Sequence, residues 1–283
     1  MSKLEPQIKT YEAPDGYPLS YRSWNTARPQ AHVILLHGII SHSGWYLKTG
    51  SHLANSQFAV HALDRRGCGL NDRRRGDVDR LATLQNDVVT FLRRLPAGQP
   101  KLLLGISWGG NLATSIARHF PEELDGLGLI CPGLYSRKAP STLQNLAVRL
   151  AVGVGLGGIQ VSIPLQDPKL FTSQPQWQRF IQDDPATLRK VSLRMAKASA
   201  ELYADATGDP QEITTPTLLM LAKEDQISKN DAIRQFVERF ATEDRHIIEY
   251  PEATHTLEFE SDPSGYLNDL LAWCQSRSIA VSS

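Results

Sequence analysis

The sequence predicts an α/β protein with a mostly parallel sheet covered by helices on both faces. Three observations lead to this prediction. Between residues 32 and 131, short apolar runs typical of buried strands alternate with segments of helical periodicity. Residues 101–111, KLLLGISWGGN, have the pattern of a strand, a sharp turn at a serine and a helix. The alternation stops near residue 132 and resumes after residue 212, which indicates an insertion into one sheet.

The individual elements follow from local patterns. A hairpin should open the chain, because residues 8–11 and 19–24 alternate apolar and polar side chains around Asp15-Gly16. Further strands are predicted at residues 32–36, 57–63, 102–104, 124–131, 217–221 and 246–250. Helices are predicted at residues 45–55, 81–95, 108–119 and 228–240, and after Asp262-Pro263. Ser228 and Asp231 are expected to form a capping box.

The interruption divides the chain into three parts. Residues 1–132 and 213–283 are predicted to form the two segments of the core. Residues 133–212 have helical periodicity without clear strands, and we expect them to form a helical cap, or lid, over the sheet edge.

Two local patterns inside this cap bear on its structure. Asp184-Pro185 resembles an N-cap followed by proline at the first helical position, which predicts a helix starting there. Residues 153–158 match G-x-G-x-x-G, the pattern of a dinucleotide-binding loop. They follow a helix-like run rather than a strand, so a flexible turn is the favoured interpretation.

The composition excludes several classes of function. The 30 basic and 30 acidic residues among 283 cancel, so a nucleic-acid partner is not expected. The run at residues 73–75 is interpreted as a solvated loop. Three widely spaced cysteines and eight histidines form no metal-binding motif, so we expect neither a metal nor another cofactor. The absence of a secretory signal and of any apolar window of membrane-spanning length predicts a cytoplasmic protein without a transmembrane segment.

Ser107 lies in the layout of a nucleophile elbow. Gly105 and Gly109 flank it in the pattern G-x-S-x-G, where a Cβ would collide with the neighbouring strand or helix. Such a turn holds the serine in strained backbone geometry at the carboxyl edge of the sheet. The following helix begins there, and its N-terminus favours negative charge. Ser107 is therefore the predicted nucleophile.

A serine nucleophile needs an adjacent base, and an acid must orient that base. After an elbow of this kind the chain order is serine, acid, histidine. His255 follows the last predicted strand at the edge where the serine should emerge, whereas His246 begins that strand at the opposite end. Glu224 and Asp225 follow the preceding strand. Asp225 is favoured, because a short side chain at the turn is suited to holding the imidazole.

The oxyanion of a tetrahedral intermediate needs two backbone donors. The N–H of Trp108, directly after the serine, is one candidate. The second should come from the loop after residues 32–36, where Ile39 is best placed.

The same loop carries further polar side chains. His37 is either a catalytic group or, as we favour, a residue that shapes the loop by hydrogen bonding to the backbone. Ser41, His42 and Ser43 are expected to contact solvent or substrate.

Six ordered segments resemble a known superfamily. They are HGIISHSGWY (37–46), DRRGCGLN (64–71), LQNDVVTFLRRL (84–95), GISWGGNLA (105–113), AKEDQIS (222–228) and EATHTLEFE (252–260). On these segments the chain resembles the α/β-hydrolase superfamily over nearly its full length. It is most similar to the group of monoacylglycerol lipases, lysophospholipases and serine aminopeptidase-like proteins.

The resemblance implies the α/β-hydrolase fold, with a mostly parallel eight-stranded sheet, helices on both faces and a helical cap inserted after the sixth strand. It implies the same catalytic residues, Ser107, Asp225 and His255, and the same oxyanion donors, Ile39 and Trp108.

Three positions depart from the pattern of the family. Ile106 stands where the family often has histidine, and Asn71 stands where it usually has serine. The pair Ile39-Ile40 is bulkier than the residues common after the His-Gly pair, and it should narrow the acyl pocket.

The expected function is hydrolysis of a carboxylic ester through an acyl-enzyme. The apolar cap favours a small hydrophobic ester, such as a monoacylglycerol, a lysophospholipid or an aryl ester, and permits transient contact with a lipid surface. The same triad would also serve an amide or peptide hydrolase, which would use cap carboxylates to hold a substrate amine. The candidates for that role are Asp183, Asp184, Glu201 and Asp205. A C–C bond hydrolase would use the triad as well, and a non-catalytic small-molecule receptor would use the fold alone.

Overall fold

The computed structural model describes residues 4–138 and 140–279. Its strands are β1 (Gln7–Glu12), β2 (Pro18–Trp24), β3 (His32–Leu36), β4 (Ala59–Leu63), β5 (Lys101–Ile106), β6 (Gly126–Ile130), β7 (Gln160–Ser162), β8 (Lys190–Ser192), β9 (Thr217–Ala222) and β10 (Arg245–Tyr250). Its α-helices are α1 (Leu47–Asn55), α2 (Leu81–Arg94), α3 (Trp108–His119), α4 (Thr142–Gly153), α5 (Pro175–Asp183), α6 (Leu193–Ala206), α7 (Asn230–Val237) and α8 (Ser264–Ile279).

Eight strands form one sheet in the order β1-β2-β4-β3-β5-β6-β9-β10. The hairpin β1–β2 is antiparallel and pairs antiparallel with β4. From β4 to β10 every neighbouring pair is parallel. Residues of β3, β4, β6 and β9 are buried throughout, as a sheet covered on both faces requires. The predicted α/β-hydrolase fold is thereby confirmed.

Parallel register brings the carboxyl ends of the central strands to one edge. Leu36 of β3 pairs with Leu63 of β4 and with Gly105 of β5, and Ile106 pairs with Ile130 of β6. The loops that follow these strands therefore meet at the same edge, where ligands of open α/β sheets bind.

The segment between β6 and β9 contains α4, α5 and α6, together with a feature that the sequence pattern did not predict. The short strands β7 and β8 pair antiparallel in a separate two-stranded sheet, in which Val161 lies opposite Val191. Each strand has three residues, which is too short for an alternating pattern to stand out from helical periodicity.

The predicted helix start at Asp184-Pro185 is wrong. Asp184 follows the last residue of α5, and the next helix, α6, begins only at Leu193. Its N-cap is Ser192, whose Oγ accepts the N–H of Met195 at 3.0 Å. The Asp184 carboxylate instead bonds to the cap loop and to the core, as described below.

The predicted capping box at Ser228 is also wrong. The helix α7 begins at Asn230 after the N-cap residue Lys229, and Ser228 Oγ donates to the carbonyl of Pro132 at 3.2 Å.

The turn interpretation of the G-x-G-x-x-G segment is confirmed, since Gly155 shortly after α4 has a φ of 88° that favours glycine. Across the two described ranges, no helix combines the length and the apolar character needed to cross a bilayer.

Candidate active site

Ser107 occupies a sharp turn between β5 and α3. Its φ of 54° and ψ of −122° lie in a strained region for a residue with a side chain. The flanking glycines make this turn possible. A Cβ on Gly105 would lie 2.5 Å from the carbonyl oxygen of Gly109, and a Cβ on Gly109 would collide with the carbonyl of Leu36. The elbow geometry is thus confirmed by the contacts that exclude larger residues.

The three residues predicted to act together lie in hydrogen-bond contact. His255 Nε2 is 2.9 Å from Ser107 Oγ, and His255 Nδ1 is 2.7 Å from Asp225 Oδ2. All three side chains are buried. Because a carboxylate only accepts, Nδ1 carries the proton and Nε2 is free to accept from the serine hydroxyl. This is the tautomer that a general base requires.

The carboxylate of Asp225 is held in its charged form. Burial raises the pKa of this group, but the electrostatic attraction and hydrogen bond of the His255 ring, together with two backbone N–H groups, outweigh burial, so the pKa lies below its ordinary value. Asp225 Oδ1 accepts the N–H groups of Ile227 at 2.7 Å and Ser228 at 3.0 Å. The second candidate for the acid, Glu224, is exposed. His246, the second candidate for the base, pairs with Asp244 at 3.3 Å near the start of β10.

His37 has the loop-shaping contacts that we favoured. Its Nδ1 donates to the carbonyl of Gly38 at 2.7 Å, and its Nε2 accepts the N–H of Arg65 at 3.0 Å. Both ring nitrogens are therefore engaged by backbone groups. The contacts join the loop after β3 to the loop after β4.

The candidate oxyanion donors lie on the two segments that border Ser107. Gly38 is so close that a Cβ there would be 3.2 Å from Ser107 Cβ. The following residue, Ile39, lines the same space as Ser107 and His255. In the ranges that the structure describes, the N–H groups of Ile39 and Trp108 have no acceptor, and both are thus available to a ligand.

A narrow space adjoins Ser107. Its walls come from the loop after β3, from the turn after β10 and from the cap, and they consist of Gly38, Ile39, Ile40, Ser41, Trp45, Tyr46, Ile106, Phe171 and Thr256 besides Ser107 and His255. The cap residue Phe171 packs edge-on against the ring of His255, with centroids 5.8 Å apart. The wall is mostly apolar and close to the reacting groups.

Two of the three loop residues expected to contact solvent or substrate have structural partners instead. His42 Nε2 donates to Asp184 Oδ2 in the cap at 2.8 Å, and the N–H of Ser43 donates to Asp64 Oδ1 at 2.6 Å. Only Ser41 lines the space near the candidate nucleophile, where its Oγ is 3.1 Å from Tyr46 OH.

The cap carboxylates proposed as amine ligands are mostly engaged. Asp184 accepts from His42 and from Trp45 Nε1, the latter at 3.1 Å. Asp205 bonds to His119 at 2.7 Å, and Glu201 bonds to Lys197 at 2.7 Å. Asp183 is exposed.

Glu258 is a buried acid beside the site that the sequence pattern did not single out. It lies three residues after His255, and its carboxylate accepts the N–H of Lys48 at 2.6 Å and that of Thr49 at 3.2 Å in the first turn of α1. Burial raises its pKa to about 7. The sequence does contain a signal for it, because Glu258 is the single charged residue in the otherwise apolar run Leu257–Phe259. Glu258 thereby ties the turn that carries His255 to the helix that follows the loop after β3.

The fold and the elbow define the class of this protein, the α/β-hydrolases. Within that class the chain belongs to the family described as serine aminopeptidase, S33 (Hydrolase_4), whose sequence profile matches residues 27–262.

Relatives of known name are similar over nearly the whole chain. The chain is 25% identical to the monoacylglycerol lipase of Mycolicibacterium smegmatis over 265 residues, which is 91% of this chain and 93% of that one. It is 24% identical to the monoglyceride lipase of Homo sapiens over 277 residues, 95% of this chain and 90% of the other. It spans 28% of the length of an uncharacterized abhydrolase domain-containing protein of Dictyostelium discoideum, to which it is 27% identical over 271 residues.

A solved structure supports the same fold. The monoacylglycerol lipase of Paleococcus ferrophilus superposes with a TM-score of 0.83 at 24% identity, covering 92% of this chain and 99% of that one.

Proposed function

We propose that this chain, a carboxylic ester hydrolase, cleaves its substrate with Ser107 as nucleophile, His255 as base and Asp225 as the acid that orients the base. The proposal is supported by one observation above all. A continuous hydrogen-bond chain runs from Ser107 Oγ through the two ring nitrogens of His255 to Asp225, buried at the carboxyl edge of the parallel strands.

The reaction follows from these contacts. Ser107 Oγ attacks the ester carbonyl carbon while its proton passes to His255 Nε2, and the N–H groups of Ile39 and Trp108 bind the oxyanion. Asp225 stabilises the imidazolium through Nδ1–H. When the tetrahedral intermediate collapses, the C–O bond to the leaving alcohol breaks and the alcohol takes the proton from Nε2. Water then gives its proton to Nε2 as it attacks the acyl-enzyme. When this second tetrahedral intermediate collapses, the bond to Ser107 Oγ breaks, Ser107 takes the proton back from Nε2, and the carboxylic acid leaves.

The substrate proposed here is a hydrophobic ester with a short or compact acyl group. The space beside Ser107 is narrow and is bordered mostly by apolar side chains. Ile39 and Ile40 form part of its wall, and Phe171 closes it from the cap side. A long acyl chain would have to displace these side chains, so activity should peak at short chain lengths.

Ester cleavage is favoured over amide or peptide cleavage. An aminopeptidase needs a free carboxylate to hold the substrate amine. Asp184, Glu201 and Asp205 are already engaged by cationic or polar side chains. Asp183 is exposed and does not line the space beside Ser107. The wall of the cavity is mostly apolar, and the described residues that line it include no carboxylate to hold an amine.

We propose further that the cap brings the enzyme to lipid surfaces through one face of α4 and the turn after it. Large apolar side chains are exposed there, including Leu143 at 76%, Leu150 at 63% and Val154 at 75%. Exposed apolar clusters of this kind mark interaction surfaces. Leu150→Glu should reduce cosedimentation with phosphatidylcholine vesicles, whereas Ile8→Glu, a change at an exposed residue of β1, should not. Equal binding by both variants would contradict the proposed surface.

The test of the proposed function is hydrolysis of p-nitrophenyl esters from acetate to palmitate by wild type and by Ser107→Ala. We expect wild type to have its highest kcat/KM at a short acyl chain and the variant to lose about four orders of magnitude or more in kcat. Wild type should also be labelled covalently by a fluorophosphonate, and Ser107→Ala should not be labelled.

Matched variants separate the triad from general damage. His255→Ala and Asp225→Asn should abolish or strongly reduce turnover, while the exposed residues His246 and Asp183 should tolerate His246→Ala and Asp183→Asn. A wild type that neither hydrolyses any ester nor reacts with the fluorophosphonate would refute the proposal and favour a binding protein.

A further inference from the structure

Arg65 is a buried cation next to the candidate site. It is 9% exposed, and no carboxylate of residues 4–138 and 140–279 forms a salt bridge with its guanidinium. The neighbouring Arg66, in contrast, forms two salt bridges. The adjacent carboxylate of Asp64 accepts the N–H groups of Ser43 at 2.6 Å and Leu70 at 2.9 Å instead. A buried charge is costly unless other contacts compensate, so this arginine calls for a physical explanation.

The guanidinium contacts both segments that supply the proposed oxyanion donors. Its Nη2 donates to the carbonyl of Ile39 at 2.9 Å, and its Nη1 lies 3.4 Å from the carbonyl of Gly38. Its other face lies over the indole ring of Trp108, 4.6 Å from the centroid. The carbonyl of Gly38 also accepts from His37 Nδ1 at 2.7 Å. One side chain thus joins the loop after β3 to the first residue of α3.

The carbonyl of Gly38 and the N–H of Ile39 belong to the same peptide group. Donors at the carbonyl end therefore fix the orientation of that group and polarise its N–H, which strengthens the bond that the N–H makes to an acceptor. The positive charge of the guanidinium is close to the same peptide. Within residues 4–138 and 140–279 no carboxylate forms a salt bridge with it, and the charge of Asp64 acts on it only without direct contact. Its field stabilises negative charge that develops beside Ile39 and Trp108.

We propose that Arg65 is a positioning residue of the oxyanion hole, which aligns the Ile39 and Trp108 donors and favours the negative charge of the tetrahedral intermediate. This inference rests on the proposed function, since it requires Ser107 to form such an intermediate. Burial lowers the pKa of Arg65, but a guanidinium remains protonated at every pH at which the enzyme is folded. The charge is thus permanent and does not depend on substrate.

The test separates binding of an anionic intermediate from binding of a neutral ligand. An alkyl boronic acid adds to Ser107 Oγ, the serine proton passes to His255, and the boron becomes a tetrahedral anion. The amide with the same alkyl group occupies the site without charge. Relative to wild type, Arg65→Gln should lower kcat about 100-fold and leave KM within about twofold. The same variant should bind the boronic acid about 100-fold more weakly and bind the amide within about twofold of wild type. Arg65→Lys keeps the charge but cannot span both carbonyls and the indole, so we expect about a tenfold loss of boronic acid affinity.

The matched control is an arginine that also donates to backbone carbonyls, but to those of the cap and not to those of the loop after β3. Arg75 donates to the carbonyls of Ala186 at 2.8 Å and Thr187 at 3.3 Å in the cap, and Arg75→Gln should leave the ratio of boronic acid to amide affinity unchanged. Boronic acid affinity equal to wild type in Arg65→Lys and Arg65→Gln, or an equal loss for both ligands, would overturn the inference. If Arg65→Gln does not fold, the ratio of boronic acid to amide affinity in Arg65→Lys decides whether the inference holds. Wild type that fails to react with a fluorophosphonate would instead refute the proposed function.

Discussion

The buried carboxyl group of Glu258 predicts that a single neutral substitution will stabilise the protein at alkaline pH. Its pKa lies near 7, because burial disfavours the charge more than the N–H donors of α1 favour it. Glu258→Gln keeps an acceptor oxygen for the N–H groups of Lys48 and Thr49, and it removes the ionisation.

The sign and size of the effect follow from proton linkage. In the unfolded chain this glutamate has its ordinary pKa of 4.5, so between pH 4.5 and 7 the folded state binds the proton more tightly. Stability from this group is fully present at low pH and is lost as the pH rises through about 7. The loss amounts to about 2.5 kcal/mol between pH 5 and pH 8, from about 1.4 kcal/mol for each unit of pKa difference. The glutamine variant lacks this loss.

The assay is the free energy of unfolding in urea at pH 5, 6, 7 and 8 for wild type and Glu258→Gln. We expect the difference between the two proteins to shift by about 2.5 kcal/mol in favour of the variant from pH 5 to pH 8. Glu252→Gln, a change at an exposed glutamate of the preceding turn, should show no such shift. A constant difference across the four pH values would refute the reasoning, because it would mean that Glu258 is already charged throughout.

Two more predictions concern the core and the elbow. Burial lowers the pKa of His61 to about 3, and its Nε2 lies 3.1 Å from His32 Nδ1. Below about pH 6.5 only the unfolded state takes up the proton, so the free energy of unfolding of wild type should fall by about 2 kcal/mol by pH 5 from this group. His61→Gln should show a correspondingly smaller fall when unfolding in urea is measured over the same pH range. Gly105→Ala should cost at least about 3 kcal/mol and abolish ester turnover, because its Cβ would lie 2.5 Å from the carbonyl of Gly109. Gly153→Ala, with open space around the added methyl, should instead stabilise the protein by about 0.5–1 kcal/mol. Melting temperatures of both variants equal to that of wild type would contradict both expectations.

The central sheet and the elbow could be predicted because local and global requirements agree there. The strand β5 is fully apolar between Leu102 and Leu104, the turn requires glycine on both sides of Ser107, and the helix after it consists largely of small residues. Each of these signals lies within one short window of sequence. Chain order then selected Asp225 and His255, and the structure brings His255 into contact with both Ser107 and Asp225.

The cap was harder to predict because its elements depend on partners far along the chain. The N-cap of α6 is Ser192, whose Oγ also donates to Asp77 at 2.6 Å, and Asp77 in turn binds Arg194. Asp184 looks like a helix cap in sequence, but its carboxylate is used by His42, 142 residues away. Such contacts give buried polar groups their hydrogen-bond partners, and they cannot be predicted from the local sequence.

The same limit explains why Arg65 was not predicted. In sequence it belongs to DRRGCGLN, where two adjacent arginines look equivalent. The fold makes them different, since Arg66 faces the carboxylates of Asp15 and Asp87 while Arg65 faces backbone carbonyls and an indole ring. A cation that is neutralised by carboxylates contributes to stability at most. The positive charge of a cation that faces backbone carbonyls also stabilises negative charge that forms nearby. The difference between two neighbouring arginines therefore provides a direct experiment: Arg65→Gln should lower turnover selectively, and Arg66→Gln should lower stability first.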